Sequence, residues 1–240
     1  MFEYEPEIVE RYPALRAGVV SVEGFANDVM SATLTADYVA QQQATIATLR
    51  DRSVGDVGSI AAWRRVFASL GVKPTQYRVA VEALMRRLVK SGDIPRINPL
   101  VDIGNLVSIR HALLAAIFDL STISAPIRVR FARGDEAFTN LGSGEVDAPE
   151  PGEVIFVDTD GVVCARRWCW RQSAQAATDA ATTAALFVVE AHHHDAAADV
   201  VSAIADIAAL VAAHTSGCVI DYWTLPTDEY PDFTVDRERQ

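Results

Sequence analysis

The hydrophobic period of this chain changes twice along its length, and that change restricts the fold more than any single motif does. Before about residue 115 apolar residues recur at helical spacing. Tyr77–Lys90 is the clearest case: Val81, Leu84, Met85 and Leu88 form one stripe, while Arg78, Glu82, Arg86 and Lys90 fall four apart on the other side. Residues 31–50, Ser59–Leu70 and Val101–Leu114 read as further helices, with Gly71, and Gly92 with Pro95, as stops. The centre then takes a period of two. Ile127, Val129 and Phe131 alternate with Arg128 and Arg130, and Val154–Asp158 and Val162–Arg166 flank an Asp160-Gly161 turn. Leu186–Val189 reads as an interior strand that delivers Glu190 to its end. Asp195–His214 is an alanine-rich helix, and Cys218–Leu225 a closing strand. Helices at both ends of a strand-rich centre predict an α+β protein, not a regular βαβ alternation.

At 240 residues, with 50% hydrophobic and 22% charged side chains, the chain is long and apolar enough for a real core, and disorder is excluded. The acidic start, Met-Phe-Glu-Tyr-Glu-Pro-Glu, lacks the layout of a secretory signal. Asp199 and Asp206 interrupt the longest apolar stretch, Ala196–Ala213, so no membrane span is expected there. Three cysteines (Cys164, Cys169 and Cys218) form no Cys-x-x-Cys pair, and the expected compartment is reducing and cytoplasmic.

A net charge of −11 argues against a general nucleic-acid binder, and no DNA partner is expected. Charge is segregated, however. Between residues 64 and 96, Arg64, Arg65, Lys73, Arg78, Arg86, Arg87, Lys90 and Arg96 face only Glu82 and Asp93. Such a stretch either forms a local phosphate-attracting patch or a solvated, salt-bridged helix face; the second is the commoner outcome.

His192-His193-His194 cannot converge on one ion, because consecutive residues point apart on helix and strand alike; an exposed loop before the last helix, capped by Asp195, is expected. No Gly-rich phosphate loop, Gly-x-Ser-x-Gly elbow or His-Glu-x-x-His occurs, so neither a metal nor a cofactor is expected. Cys164 and Cys169 read as structural thiols. More unusual is Arg166-Arg167-Trp168-Cys169-Trp170-Arg171, where indoles sit beside guanidinium groups. It suits base stacking and phosphate binding, and equally a strand with core tryptophans and solvated arginines. Pro95–Asp102 with Asn105 is a second polar constellation, of helix caps or of ligand-orienting groups.

Together, Pro95–Asn105, Arg130–Glu136, Gly142–Glu145 and Trp168–Ser173 resemble free-standing members of the B3/B4 family. That family is related to the tRNA-editing domain of the bacterial phenylalanine–tRNA synthetase beta subunit. The similarity runs from about Trp63 to Glu190. It implies a strand-rich sandwich flanked by helices over residues 61–240, with residues 1–60 as an extension packed on it in one compact unit. It also implies a trans-acting aminoacyl-tRNA deacylase, whose partners are the aminoacylated 3′ end of a tRNA and its amino-acid moiety. Asn105 matches the asparagine of the family's Val-Asp-x-Thr-Asn stretch, and Glu190 falls on the strand carrying the editing glutamate, which recognises a side-chain hydroxyl. Ala116 stands where the synthetase has its editing-site histidine, and tyrosine specificity is not carried over with it.

On this reading Asn105 and Glu190 are the catalytic candidates. Arg96, Asn98, Arg167, Trp168, Trp170 and Arg171 hold substrate, and Arg78, Arg86, Arg87 and Lys90 form the tRNA patch. Arg86 and Arg87 are expected to be reversible to Glu without disturbing the fold. The alternative is a non-catalytic module that binds tRNA, an amino acid or a related small metabolite.

Overall fold

A computed structural model describes residues 1–28, 31–73, 75–214 and 218–225. In chain order the elements are β1 (Phe2–Tyr4), α1 (Pro6–Arg11), β2 (Arg16–Glu23), α2 (Ala32–Thr48), α3 (Gly58–Ser69), α4 (Ala80–Ser91), α5 (Pro99–His111), β3 (Leu114–Asp119) and β4 (Ile127–Phe131). Then come β5 (Phe138–Thr139), β6 (Val146–Asp147), β7 (Val154–Val157), β8 (Val163–Arg166), β9 (Arg171–Gln172), β10 (Ala184–Ala191), α6 (Ala196–His214) and β11 (Val219–Leu225).

Two sheets carry the fold. One has the order β1-β4-β7-β8-β9, with β1 parallel to β4 and the other pairs antiparallel; the second, β11-β2-β10-β3, is antiparallel throughout. Their inner faces meet, as the 5.6 Å approach of Phe118 to Phe156 marks. The outer face of the four-stranded sheet is covered by α5 and α6. The α+β architecture agrees with the sequence, with one difference in placement. Strands are not confined to the centre: β1 edges the first sheet, and β2, wholly apolar but for Arg16, Ser21 and Glu23, is an interior strand of the second. Residues 1–60 therefore contribute to both sheets.

Helix ends follow local chemistry. Asn98 begins α5 by accepting the Val101 amide hydrogen at 3.0 Å, with Pro99 in the first turn. This helix stops at His111, short of the expected Leu114, because Ala112 turns left-handed at φ 53° and the chain enters β3. Likewise α4 starts at Ala80, leaving Arg78 before it, and ends on Gly92 at φ 81°, a conformation glycine adopts without steric cost. Gly104 lets α5 lie close on β3, since a Cβ there would sit 2.5 Å from Ile117 Cδ1.

By length and composition α6 is apolar enough to cross a membrane. Here it packs on β2 and β10 through Val200, Ala203, Ile204 and Ile207. Its interrupting carboxylates are engaged: Asp206 by Arg110 at 2.8 Å and His111 at 3.0 Å, and Asp199 by His193 at 2.7 Å.

Candidate functional site

Leu114, Ala116 and Phe118 of β3 project between the sheets, and across from them runs the segment from Ala165 to Gln172. With Ala80, Val101 and Asn105 these residues line a cleft of about 190 Å³. Its deep wall is apolar and buried, with Leu114, Phe118, Ala165 and the Cys169 thiol. Its polar groups are half-buried or exposed: Asn105, Arg171 and Gln172, with the Trp170 indole beside them. Gln172 is held in place by donating its amide to the carbonyls of Ile117 and Ala176. Asn105 lies beside the Tyr38 hydroxyl of α2.

The turn between β8 and β9 aims these groups. Arg167 and Trp168 are both left-handed, at φ 45° and 59°, a strained choice for large side chains. This turn points Trp168 inward and leaves Arg167 and Trp170 half-buried. Trp170 meets Tyr77 edge-on at 4.9 Å; Arg167 lies over Tyr77 at 4.2 Å and Arg171 over Trp170 at 4.6 Å.

Of the residues singled out in the sequence, the structure brings Asn105, Ala116, Trp170 and Arg171 together at this cleft. Glu190 is elsewhere. It is 0% exposed and does not line the cleft. Tyr4 Oη donates to its Oε1 at 2.6 Å, Trp168 Nε1 at 3.0 Å, and the Cys169 thiol donates to Oε2 at 3.4 Å. All three of these donors are uncharged. Burial, only partly offset by those hydrogen bonds, pushes its carboxyl up to about 7.

Trp168 offers no stacking surface, being 0% exposed and packed against Tyr12, Trp63 and His192. Asn98 is a helix cap, so the structural reading of that constellation holds for it. Arg96 is tied to the buried Asp102 at 3.3 Å, and Arg167 to Glu153 at 2.9 Å and Glu150 at 3.3 Å.

The helical arginines are also largely committed. Buried Glu82 collects Arg64 at 2.9 Å, Arg86 at 2.8 Å and Arg78 at 3.8 Å. Reversing Arg86 would therefore set two carboxylates together, contrary to the expectation of a harmless change. Arg87 and Lys90 remain exposed. The histidine triplet is not an exposed loop throughout: His194 is exposed, but His192 is buried, and burial holds its imidazole down at about 3. Among the described residues no group of three His, Cys, Asp or Glu side chains is placed to hold a metal ion.

The model of the B3/4 domain matches residues 62–205, more than half of the chain and all of the cleft lining. The chain belongs to the B3/4 domain family. It is similar to the phenylalanine–tRNA ligase beta subunit of Shewanella oneidensis, 30% identical over 145 residues, and to that of Vibrio cholerae, 32% identical over 133. Those matches cover 60% and 54% of this chain but only 18% and 16% of the relatives, so this B3/4 protein spans less than a fifth of their length. A solved N-terminal fragment of the phenylalanyl-tRNA synthetase beta subunit from Pyrococcus horikoshii aligns with a TM-score of 0.48 at 12% identity, over 94% of this chain and 54% of that one.

Proposed function

We propose that this B3/4 protein hydrolyses, in trans, an aminoacyl ester at the 3′ end of a tRNA, with the cleft between β3 and the β8–β9 turn as its site. The observation that carries this reading is the convergence there of Asn105, the Ala115–Phe118 strand segment and Trp170–Gln172, segments far apart in sequence. A deep apolar wall suits an amino-acid side chain, and a polar rim suits the ester and ribose. Asn105 offers a donor and an acceptor to orient water against the carbonyl. Arg171 supplies a cation for a phosphate or for the developing oxyanion, and Trp170 supplies a face for the terminal base. An aminoacyl ester is already reactive, so orientation and electrostatics suffice for acceleration. The Cys169 thiol is not the nucleophile in this scheme, because burial and the neighbouring Glu190 both hold it protonated. A role beside the translation machinery fits a cytoplasmic protein.

One observation favours a second reading, a non-catalytic binder of the same ligand. The lining has an alanine at 116, and its polar groups are amides and a guanidinium, none of which accepts a proton near neutral pH. A panel of tRNAs mischarged with different amino acids separates the two. Loss of ester beyond one equivalent of protein supports the enzyme, with Asn105→Ala expected to lower kcat about a hundredfold. Saturable binding without turnover across the panel moves the function to the second reading.

A further inference from the structure

The deep end of the cleft is defined by what its nearest carboxylate is already doing. Glu190 lies next to the cleft, separated from it by Cys169, which touches both. Its Oε1 accepts from Tyr4 and Trp168, and its Oε2 from the Cys169 thiol. A hydroxyl entering the cleft therefore meets a sulfur, a weak hydrogen-bonding group already engaged with Oε2, and no carboxylate oxygen, since Glu190 does not line the cleft. The rest of the deep wall, Leu114, Ala116, Phe118 and Ala165, is hydrocarbon. A hydroxyl placed there would give up its hydrogen bonds to water and find nothing in return.

We propose that the cleft selects aminoacyl groups with wholly apolar side chains and discriminates against their hydroxylated counterparts, with Cys169 as the residue that sets this choice. The inference rests on the cleft being the aminoacyl site. Cys169 acts by standing between the cleft and Glu190, whose Oε2 it holds, while Tyr4, reaching in from β1, anchors Oε1 away from the cleft lining. An apolar pocket rejects an added hydroxyl only moderately, so the expected preference is about tenfold to a hundredfold. Removing the sulfur would leave a position about 3.4 Å from Oε2 that a ligand hydroxyl could take.

The test uses non-hydrolysable 3′-aminoacylamino-3′-deoxyadenosines in two matched pairs, phenylalanyl with tyrosyl and valyl with threonyl, titrated by calorimetry into the full chain. In whichever pair binds, the apolar member is expected to bind at least tenfold more tightly. Cys169→Ala is expected to shrink that ratio at least fivefold by admitting the hydroxyl to Glu190, whereas Cys169→Ser, which keeps a donor on Oε2, retains it. Thermal melting verifies that each variant is folded; should Cys169→Ala not fold, Cys169→Gly, which also removes the sulfur, is read in its place, and the wild-type ratio stands as a test in either case. Equal affinities within a pair, tighter binding of the hydroxylated member, or a ratio unmoved in the folded variant would overturn the proposal while leaving the aminoacyl site standing. Failure of all four analogues to bind would overturn the site itself and this inference with it.

Discussion

Glu136 and Glu190 are both buried carboxyls, 7% and 0% exposed, and their surroundings drive them in opposite directions. Burial would raise Glu136 too, but the Arg133 and Gly134 amides, each at 2.9 Å, and Arg130 at 2.6 Å overcome it and hold the group at about 2. Around Glu190 the donors are a phenol, an indole and a thiol, all uncharged, and burial wins. What separates them is a guanidinium and the backbone amides of one tight loop. Glu136 is thus a fixed anion that ties β4 to the loop after it. Glu190 carries a proton that it exchanges near neutral pH, beside the cleft.

The largest effect should come from removing the cation. Arg130→Met leaves Glu136 buried without its partner and is expected to cost about 3–5 kcal/mol at pH 7, measured by urea unfolding. Glu136 has a depressed pKa, so its stabilisation is present above about 4.5 and is lost as pH falls towards 2; the cost of the mutation should shrink in the same window. A cost under about 1 kcal/mol at pH 7 would erase the contrast between the two sites.

Glu190→Gln should act with the opposite pH sense. A raised carboxyl gives its full stabilisation below about 4.5 and loses it as pH rises through about 7. Relative to wild type, the Gln variant should gain on the order of 2–3 kcal/mol between pH 5 and pH 8, at about 1.4 kcal/mol per pK unit. His192, held down at about 3, opposes this by losing stability as pH falls from about 6.5, so the difference between variant and wild type is the quantity to follow. A flat difference would show Glu190 to be ionised as Glu136 is.

Tyr4→Phe removes one donor at 2.6 Å and is expected to cost about 1.5–2 kcal/mol above pH 7, where the partner is charged, and less at pH 5. Equal costs at both values would mean the carboxyl does not change state. The same lesson, charge partner against none, is repeated on α4 at its smallest scale. Arg87→Glu with Lys90→Glu should move stability by no more than about 0.5 kcal/mol while weakening tRNA binding, whereas Arg86→Glu should visibly lower the melting temperature because it faces Glu82. Identical melting of the two variants would mean that the ring of arginines around Glu82 contributes nothing.

What the sequence made legible was local. The stripe of α4, the Asp160-Gly161 hairpin and the apolar run of β10 are written in neighbouring residues, and all three form. The end of α5 was not legible, because an alanine, not a glycine, takes the left-handed turn at residue 112. Nor was the third arginine on Glu82, since Arg64 lies on a different helix, 18 residues away. The Tyr4–Glu190 contact joins residues 186 apart, and no periodicity encodes it. For the cleft, the segments that carried the resemblance supply Asn105, Ala116, Trp170 and Arg171, which meet there. The resemblance could not tell that Cys169 would stand between Glu190 and the cleft, because that depends on which way a strained turn points its side chains.

The interior position of β2 has a consequence for how the chain is made. This strand, Arg16–Glu23, leaves the ribosome well before its two neighbours, Ala184–Ala191 and Val219–Leu225. Until those arrive, a ribbon reading Ala-Gly-Val-Val-Ser-Val has two open edges and no sheet to join. Pairing across such separations is slow, and a nascent chain waiting in that state is exposed to wrong partners. Slowed synthesis through the middle of the message would lengthen that wait, and with it the demand on chaperones, without altering a single contact of the finished protein.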